Sequence, residues 1–308
     1  MAVLTPPVAL MAPLLESQLP KRARRPAGPA SWEPKLDGWR CYTAGGRLLT
    51  RAHKDLTTRF PEVAAAAAGL GDLVCDGELC ALRGDRLDFT GLWLGRPRRE
   101  VEGVAVVLVL FDVLAADRRD LRPRPYTDRR AELLRRLPEP RPYLQPINAT
   151  LDEGEAEQRW FGLEVAQRGI EGLVRKPCRG AYGDPRAPWI KRRWRTTVDL
   201  LIAGATGDVA RPHGLVLGYR ASDGRVRITG TSLPLAQPLR QALAGRLRPA
   251  GPRTTLPAGR AGLPGQRREL VYVPVEPDVT VEATVDAAFE LDRWRHGIKV
   301  ERVREDEE

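Results

Sequence analysis

Hydrophobic and polar residues alternate in several short segments in the first two thirds of the chain. If SWEPKLDGWRCYT is extended, its polar side carries Glu33, Lys35 and Asp37. LVCDGELCAL likewise places Asp76 and Glu78 on a shared face. These segments therefore predict strands that present carboxylates and one lysine along polar faces.

Longer apolar runs and helical patterns separate these strands. The run VAVVLVLFDVL predicts a buried strand ending at Phe111 and Asp112. Helices are expected after Phe60, after Thr127 as N-cap, and over 153–168 before a glycine. Short strands therefore alternate with helices in this part of the chain.

The last third of the chain has a β-rich pattern. It contains VDLLIAGAT, GLVLGYRASDGRVRITG with a hairpin turn at Asp223-Gly224, and ELVYVPVEPDVTVEATV. One amphipathic helix over 235–247 and a Pro/Gly-rich loop over 249–265 lie between them. The pattern fits a small closed barrel of the oligonucleotide-binding (OB) type, and it also fits an SH3-like or other small barrel.

The chain has 308 residues, enough for two domains with separate cores. The change of pattern near Thr197 predicts domains over 1–196, with an N-terminal extension over 1–30, and over 197–308. With 42% hydrophobic and 29% charged residues, wholesale disorder is excluded. The cysteines have no metal-binding spacing, so buried reduced thiols are expected at Cys41, Cys75, Cys80 and Cys178. Without a long apolar run or a signal peptide pattern, a cytoplasmic protein is expected, with no membrane partner.

The charge and the scarcity of lysine direct attention to phosphates. The formal net charge is +10, and six lysines stand against 44 arginines. The surplus favours a polyanionic partner, and the basic cluster Lys21–Arg25 is either a phosphate contact or a solvated loop. Lys35, in EPKLDGWR, is a candidate amine nucleophile, although alone it would also fit a surface lysine.

Further short motifs follow this lysine in a fixed order. They are K-x-D-G-x-R at Lys35 to Arg40, T-R at Thr50-Arg51, D-G-E at Asp76 to Glu78, Phe111 in VLFDVL, E-G-x-x-x-K at Glu171 to Lys176, and W-x-K at Trp189 to Lys191. With these motifs the sequence resembles ATP-dependent DNA ligases, of the compact bacterial repair or end-joining type, over about residues 7–305. These ligases belong to the covalent nucleotidyltransferase superfamily.

The resemblance implies an α+β protein: an adenylyltransferase domain with an ATP-grasp-like nucleotidyltransferase fold, followed by an OB-fold β-barrel. It implies that ATP adenylates Lys35 and that Phe111 stacks on the adenine. Glu33 would read the adenine edge, Glu78 would lie near the ribose and the metal, and Glu171 would hold the metal. Attack on the α-phosphate requires the neutral amine, which nearby cations and removal from water favour.

Several cations of the family pattern are also matched. The resemblance assigns nucleotide contacts to Arg40, Arg51, Lys176, Arg186, Lys191, Arg302 and Arg304. Arg186 is one position out of register, and Arg193 replaces a lysine of W-x-K-x-K. The closing R-x-D-K lacks its lysine, because Glu307 follows Asp306; weaker self-adenylation is therefore expected.

The resemblance also implies cofactors and partners. ATP and Mg²⁺ are expected, with Mn²⁺ as an alternative, and the substrate would be nicked or broken double-stranded DNA. Candidate phosphate contacts are Arg98, Arg99, Arg192, Arg193 and Arg195. End-joining proteins are candidate partners of a monomer that acts at the nucleoid.

Two other functions fit the sequence. An RNA ligase or a capping-type guanylyltransferase would share Lys35 and the metal carboxylates and would use RNA ends or GTP. A nucleic-acid-binding protein without activity would use the barrel for single strands. A covalent nucleotide on Lys35 separates the enzymes from the binding protein.

Overall fold

A computed structural model describes residues 4–20, 28–257, 269–290 and 292–304. It divides the chain into two compact units, between Trp194 and Arg195. The architecture is mixed α+β, which confirms the class predicted from the sequence. Within the described ranges, none of the helices has the length and apolar character needed to cross a bilayer.

The first unit contains two sheets and five α-helices within the residues described. Its strands are β1 (Leu14–Leu15), β2 (Ala30–Leu36), β3 (Trp39–Ala44), β4 (Arg47–Thr50), β5 (Val74–Arg83), β6 (Arg86–Leu87), β7 (Val104–Ala116), β8 (Arg119–Asp120), β9 (Leu144–Pro146), β10 (Ile170–Pro177) and β11 (Ile190–Arg193). Its helices are α1 (Pro61–Ala68), α2 (Arg96–Val101), α3 (Tyr126–Arg136), α4 (Glu153–Trp160) and α5 (Leu163–Gln167), with 3₁₀ turns at Glu16–Gln18 and Phe89–Trp93.

One sheet has the order β1-β11-β10-β2 and the other β4-β3-β5-β7-β8, with β6 on β5 and β9 on β7. The main apolar core lies on the second sheet and includes Phe60, Val63, Leu108 and Leu133. The continuous apolar sequence of β7 fits this position, because a central strand is covered on both faces. The four cysteines are free thiols, all buried.

Two motif glycines are needed where backbones approach closely. A Cβ on Gly38 would lie 2.4 Å from the carbonyl oxygen of Leu79 on β5. Gly172 has φ +136°, and a Cβ there would lie 2.1 Å from the carbonyl oxygen of Arg192. These glycines allow the start of β3 to lie close to β5 and β10 to lie close to β11.

Several predicted boundaries in the first unit are wrong. Strand β7 continues past Asp112 to Ala116, because its apolar residues remain buried to that end. Helix α3 starts at Tyr126 with Pro125 as N-cap, so Thr127 lies inside it. The helix predicted over 153–168 is two helices, because Phe161 and Gly162 are extended.

The second unit consists of β12 (Arg195–Asp208), β13 (Arg211–Arg220), β14 (Val226–Thr231), β15 (Thr254–Leu256), β16 (Leu270–Pro274), β17 (Thr280–Asp286), β18 (Phe289–Glu290), β19 (Arg293–Trp294), β20 (Lys299–Val303) and helix α6 (Gln237–Ala242) among its described residues. The strands β14-β13-β12-β17-β20 pair in succession. A parallel bridge between Ser232 and Ile298 joins the end of β14 to the segment before β20, so the ring closes.

The core of this unit fills the ring and includes Ile202, Leu217, Leu243 and Val281. Helix α6 is shorter than the predicted 235–247, although Leu235, Leu243 and Leu247 still face the core. Part of the loop predicted over 249–265 is β15. Residues 258–265 of that loop, the cluster Lys21–Arg25 and the departure at Asp306 and Glu307 lie outside the described residues.

Candidate active site

A cavity in the first unit is lined by strands of both sheets. The lining residues are Pro13, Glu33, Pro34, Lys35, Leu36, Arg40, Arg51, Glu78, Phe111, Ile147, Val174, Lys176, Trp189, Lys191 and Arg193. Alternation along β2 turns Glu33 and Lys35 toward it, and alternation along β10 does the same for Val174 and Lys176. Motifs that are far apart in sequence therefore meet in one place.

Lys35 is paired with a carboxylate at this cavity. Its ammonium Nζ contacts Glu171 Oε2 on β10, and both side chains are largely buried. On β5, burial raises the pKa of Glu78 to about 8, and Lys35 and Arg40 only partly offset this effect. The amine of Lys35 therefore lies in the field of two carboxyl groups, Glu78 and Glu171.

A second ion pair is more deeply buried. Lys176 Nζ lies 2.7 Å from Glu33 Oε2, and each side chain is only 1% exposed. Lys176 also donates to the carbonyl oxygen of Phe111 (2.9 Å), and the Tyr126 hydroxyl donates to Glu33 Oε1. Burial lowers the pKa of Lys176, an effect that Glu33 opposes. We call Glu33, Tyr126 and Lys176 the inner cluster.

Aromatic rings pack around the inner cluster. Lys176 Nζ lies 4.5 Å from the ring centroid of Phe111 and 4.1 Å from that of Trp189. The two rings meet edge to face, with centroids 5.9 Å apart. This part of the cavity combines flat apolar surfaces with a buried carboxylate, which suits a planar base that carries an amino group.

Arg40 is held by a buried carboxylate. Its Nε and Nη2 donate to Asp76 Oδ1 (3.1 Å) and Oδ2 (2.6 Å), a bidentate pair. Tyr182 donates to the same Oδ2 at 2.5 Å. The guanidinium also lies 5.5 Å from the Phe111 ring centroid, which sets it beside the aromatic part of the cavity.

The cavity lining also includes more accessible cations. Arg51 on the loop after β4 is exposed, and Lys191 on β11 is partly buried. Burial lowers the pKa of Lys191, and the neighbouring Arg193 and Lys35 lower it further. We call Lys35, Arg51 and Lys191 the outer cations; their excess positive charge suits a phosphate chain.

Three predicted nucleotide contacts do not line this cavity. Arg186 has a side chain that is 89% exposed and pairs with Asp184. Arg302 and Arg304 belong to the second unit, where both pair with Glu282 and Arg304 also pairs with Asp199. The cavity itself brings together the other predicted residues: Glu33, Lys35, Arg40, Arg51, Glu78, Phe111, Lys176 and Lys191.

The predicted metal carboxylates, Glu78 and Glu171, both lie near Lys35. No group of three or more metal-ligating side chains occurs among the residues described. Two carboxylates nevertheless fit Mg²⁺, which is commonly held by one or two carboxylates together with waters and substrate phosphates. The donor set is therefore suited to a metal that arrives with a nucleotide.

Two arginines predicted to face DNA are turned inward. Arg99 is 3% exposed, pairs with Glu62 and lies over the Phe60 ring. Arg192 lies between the rings of Trp32 and Phe161 and pairs with Glu153 and Glu157. The prediction is wrong for Arg99, which is buried, whereas Arg192 stays 16% exposed. An arginine stem and its planar head can pack on aromatic rings. Arg98 and Arg195 are exposed, and Arg193 lines the cavity.

Sequence reasoning missed several residues of the site. Asp76 was placed on the same face as Glu78, yet its pairing with Arg40 was not foreseen. Tyr126 and Tyr182 belong to none of the motifs, and the W-x-K motif does not predict that Trp189 lines the cavity. The alternation of β10 could have placed Val174 beside Lys176.

The chain is similar to proteins of one enzyme class. The family model for an ATP-dependent DNA ligase domain matches residues 13–193. DNA ligase C of Mycobacterium tuberculosis is 30% identical over 315 residues, which cover 90% of this chain and 86% of that protein. A probable DNA ligase of Streptomyces avermitilis is 36% identical over 231 residues, 66% of this chain. The match spans only 43% of the Streptomyces protein, less than half its length.

A solved structure supports the fold. A solved structure from a structure–function study of Lig E DNA ligases, which concerns DNA binding with a minimal scaffold, aligns with this chain. The TM-score is 0.57 and the sequence identity is 17%. The match covers 96% of this chain and 99% of that one. At this identity the likeness concerns the fold alone.

Proposed function

Because the chain belongs to the ATP-dependent DNA ligase family, we propose that it joins 5′-phosphate and 3′-hydroxyl ends of DNA through AMP bound to Lys35. The observation that carries this proposal is that the Lys35 amine contacts the Glu171 carboxylate and lines one cavity with Glu78, Arg51 and Lys191. Such a site suits attack of an amine on a phosphate.

In the first step the Lys35 nitrogen bonds to the α-phosphorus of ATP, and the bond from that phosphorus to the oxygen of pyrophosphate breaks. The ammonium must first lose a proton, and Glu171 Oε2 is the nearest acceptor. Arg51 and Lys191 stabilise the negative charge that moves onto the pyrophosphate. Held by Glu78 and Glu171, Mg²⁺ would add further positive charge at the reacting phosphate.

The inner cluster supports a preference for adenine. The Glu33 carboxylate can accept a hydrogen bond from an exocyclic amino group, as on adenine. Phe111 and Trp189 offer ring surfaces beside it. A keto group at that position, as on guanine, would face the carboxylate without a donor. ATP is therefore favoured over GTP.

The two later steps transfer AMP to the 5′-phosphate and then displace AMP with the 3′-hydroxyl. They need in-line geometry and charge compensation, which the outer cations and Arg40 supply. Mg²⁺ is the proposed metal, with Mn²⁺ as a substitute.

We infer that the second unit is an OB-fold that contacts DNA. Its closed ring β12-β13-β14-β20-β17 with helix α6 supports this assignment. The predicted boundary near Thr197 is retained, and Arg302 and Arg304 keep their proposed role toward ATP. Binding mainly through phosphates would make the affinity strongly salt-dependent. A monomer in the cytoplasm at the nucleoid, with end-joining proteins as partners, completes the proposal.

Intact-mass measurement after incubation with Mg²⁺ and ATP or GTP tests the proposed chemistry. We expect one AMP adduct with ATP, its loss in Lys35→Ala, and its retention in Lys54→Ala, which alters an exposed lysine. Wild-type protein without an adduct would contradict the proposal. Nicked DNA and nicked RNA duplexes then separate a DNA ligase from an RNA ligase, and a GMP adduct would indicate a capping-type enzyme.

A further inference from the structure

The hydroxyl group of Tyr182 is shared by three partners from distant parts of the first unit. It donates to Asp76 Oδ2 (2.5 Å), and it accepts from Arg40 Nη2 (3.3 Å) and from the backbone amide of Met11 (3.2 Å). A phenol has one donor and two acceptor positions, so its hydrogen-bonding capacity is filled. The ring meets Trp189 edge to face at 5.5 Å.

The first two bonds act on Arg40. An arginine side chain has several rotatable bonds, and its guanidinium keeps one position only when its partners are themselves fixed. Asp76 is fully buried, and it receives the Tyr182 hydroxyl on the same oxygen that accepts Arg40 Nη2. Tyr182 therefore supports both the carboxylate and the guanidinium.

The third bond acts on the N-terminal segment, residues 8–15. Val8 is buried and its amide donates to Tyr42 (3.4 Å). Pro13 lines the cavity, and Leu14–Leu15 pairs with Ile190 and Lys191 of β11. The segment thus forms part of the cavity wall, and the Met11 amide is its link to Tyr182.

We propose that Tyr182 is a positioning residue that fixes Arg40 in the cavity and ties the N-terminal segment to the same hydrogen-bond network. This inference rests on the proposed function in taking ATP as the ligand. Binding of ATP against Arg40 and ordering of the segment then favour each other, and the coupling is reciprocal. The hydroxyl contributes to nucleotide affinity without taking part in bond making.

The test uses Tyr182→Phe, with Tyr143→Phe as the matched loss of an exposed hydroxyl. The dissociation constant for ATP is measured by calorimetry in EDTA, where transfer to Lys35 is prevented. Hydrogen exchange of the peptide covering 8–15 is measured with and without ATP. We expect Tyr182→Phe to weaken ATP binding about five- to tenfold and to abolish protection of the peptide by ATP. Tyr143→Phe should behave as wild type.

A second pair of variants changes Met11, whose backbone amide donates to the Tyr182 hydroxyl. Met11→Pro removes the amide hydrogen, whereas Met11→Leu keeps it and removes the thioether, whose sulfur accepts a hydrogen bond from the Gly183 amide (3.3 Å). We expect Met11→Pro to reproduce the loss of ATP affinity and Met11→Leu to spare it. In the double variant with Tyr182→Phe the two losses should not add, because they break the same bond.

Three results would overturn the inference. The first is a Tyr182→Phe variant with a lowered melting temperature whose ATP dissociation constant stays within twofold of wild type. The second is hydrogen exchange of the peptide 8–15 in Tyr182→Phe that responds to ATP as it does in wild type. The third is additive losses of ATP affinity in the double variant. Each is read without turnover. A protein that binds ATP as described here but forms no adduct on Lys35 with Mg²⁺ would contradict the proposed ligase and leave the role of Tyr182 supported.

Discussion

The inner cluster and the outer cations lie in one cavity and differ in how their charges are balanced. Glu33 and Lys176 are 1% exposed and paired with each other. Lys35, Arg51 and Lys191 are more accessible and outnumber the carboxylate that contacts them. A neutral, buried cluster suits an uncharged base, whereas surplus accessible charge suits phosphates. In the proposed function the inner cluster recognises the base and the outer cations serve catalysis, and the following changes test this division.

The largest effect on stability is expected at the inner cluster. Glu33→Ala leaves the Lys176 ammonium buried without its partner, which should lower the free energy of unfolding by about 3–5 kcal/mol. Urea unfolding measures the loss. The control Glu100→Ala removes an exposed partner of Arg96 and should cost less than about 1 kcal/mol.

The double change Glu33→Gln with Lys176→Met sharpens this prediction. It removes both charges, so it should be less destabilising than Glu33→Ala alone. If Glu33→Ala lowers the free energy of unfolding no more than Glu100→Ala does, the stability of the inner cluster does not depend on the ion pair between Glu33 and Lys176.

Among the outer cations, Lys191→Ala should affect rate more than stability. In the proposed mechanism it removes positive charge that stabilises the departing pyrophosphate, so adenylation of Lys35 should slow roughly 100- to 1000-fold. The free energy of unfolding should change by less than about 0.5 kcal/mol. Single-turnover assays with radiolabelled ATP measure the rate, with Lys54→Ala as control. If Lys191→Ala adenylates Lys35 at a rate near wild type but loses much of its free energy of unfolding, Lys191 has a structural role like that of the inner cluster.

The pH dependence of stability tests Glu78, whose carboxyl group lines the same cavity as Glu33 and Lys35. The pKa of Glu78 is about 8 in the folded protein, against about 4.3 in an unfolded chain. Between these values the folded state holds a proton that the unfolded state has lost, so stability falls as the pH rises.

Glu78→Gln cannot ionise and should remove this slope. The difference in the free energy of unfolding between Glu78→Gln and wild type should therefore shift in favour of the variant by roughly 1–4 kcal/mol from pH 5 to pH 8. Urea unfolding without divalent metal measures it. Glu139→Gln, at an exposed position, should show no such gain. A gain that stays constant with pH would mean that Glu78 is ionised throughout.

The smallest effect is expected at Arg186. Its side chain lies in solvent outside the cavity, so Arg186→Ala should change the KM for ATP less than about twofold. Arg51→Ala should raise it about tenfold, because Arg51 lines the cavity. Equal effects from both would show that accessible charge alone, rather than position, determines ATP binding.

The sequence predicts the parts of the site that depend on local pattern. Alternation places Glu33 and Lys35 on one face of β2, and the structure turns both toward the cavity. The family motifs identify which distant residues belong together. Contacts that depend on the register between strands are not encoded locally: Arg40 lies opposite Glu78 in the ladder, yet it pairs with Asp76.

Side-chain direction is the other limit of sequence reasoning. Arg98 and Arg99 are neighbours with the same chemistry, yet one is exposed and the other packs on Phe60. Which of them turns inward depends on how helix α2 packs against β7, and amino-acid composition does not predict that packing. For the same reason the sequence does not predict that Arg192 packs against Trp32 and Phe161.

The four buried cysteines have a practical consequence. Burial raises the pKa of Cys41, Cys75, Cys80 and Cys178, so little reactive thiolate forms at neutral pH. A cysteine introduced on the surface would react with maleimide dyes far faster than the native ones. Fluorescent labels can therefore be attached at chosen points without first removing the native thiols, which opens this protein to single-molecule distance measurements.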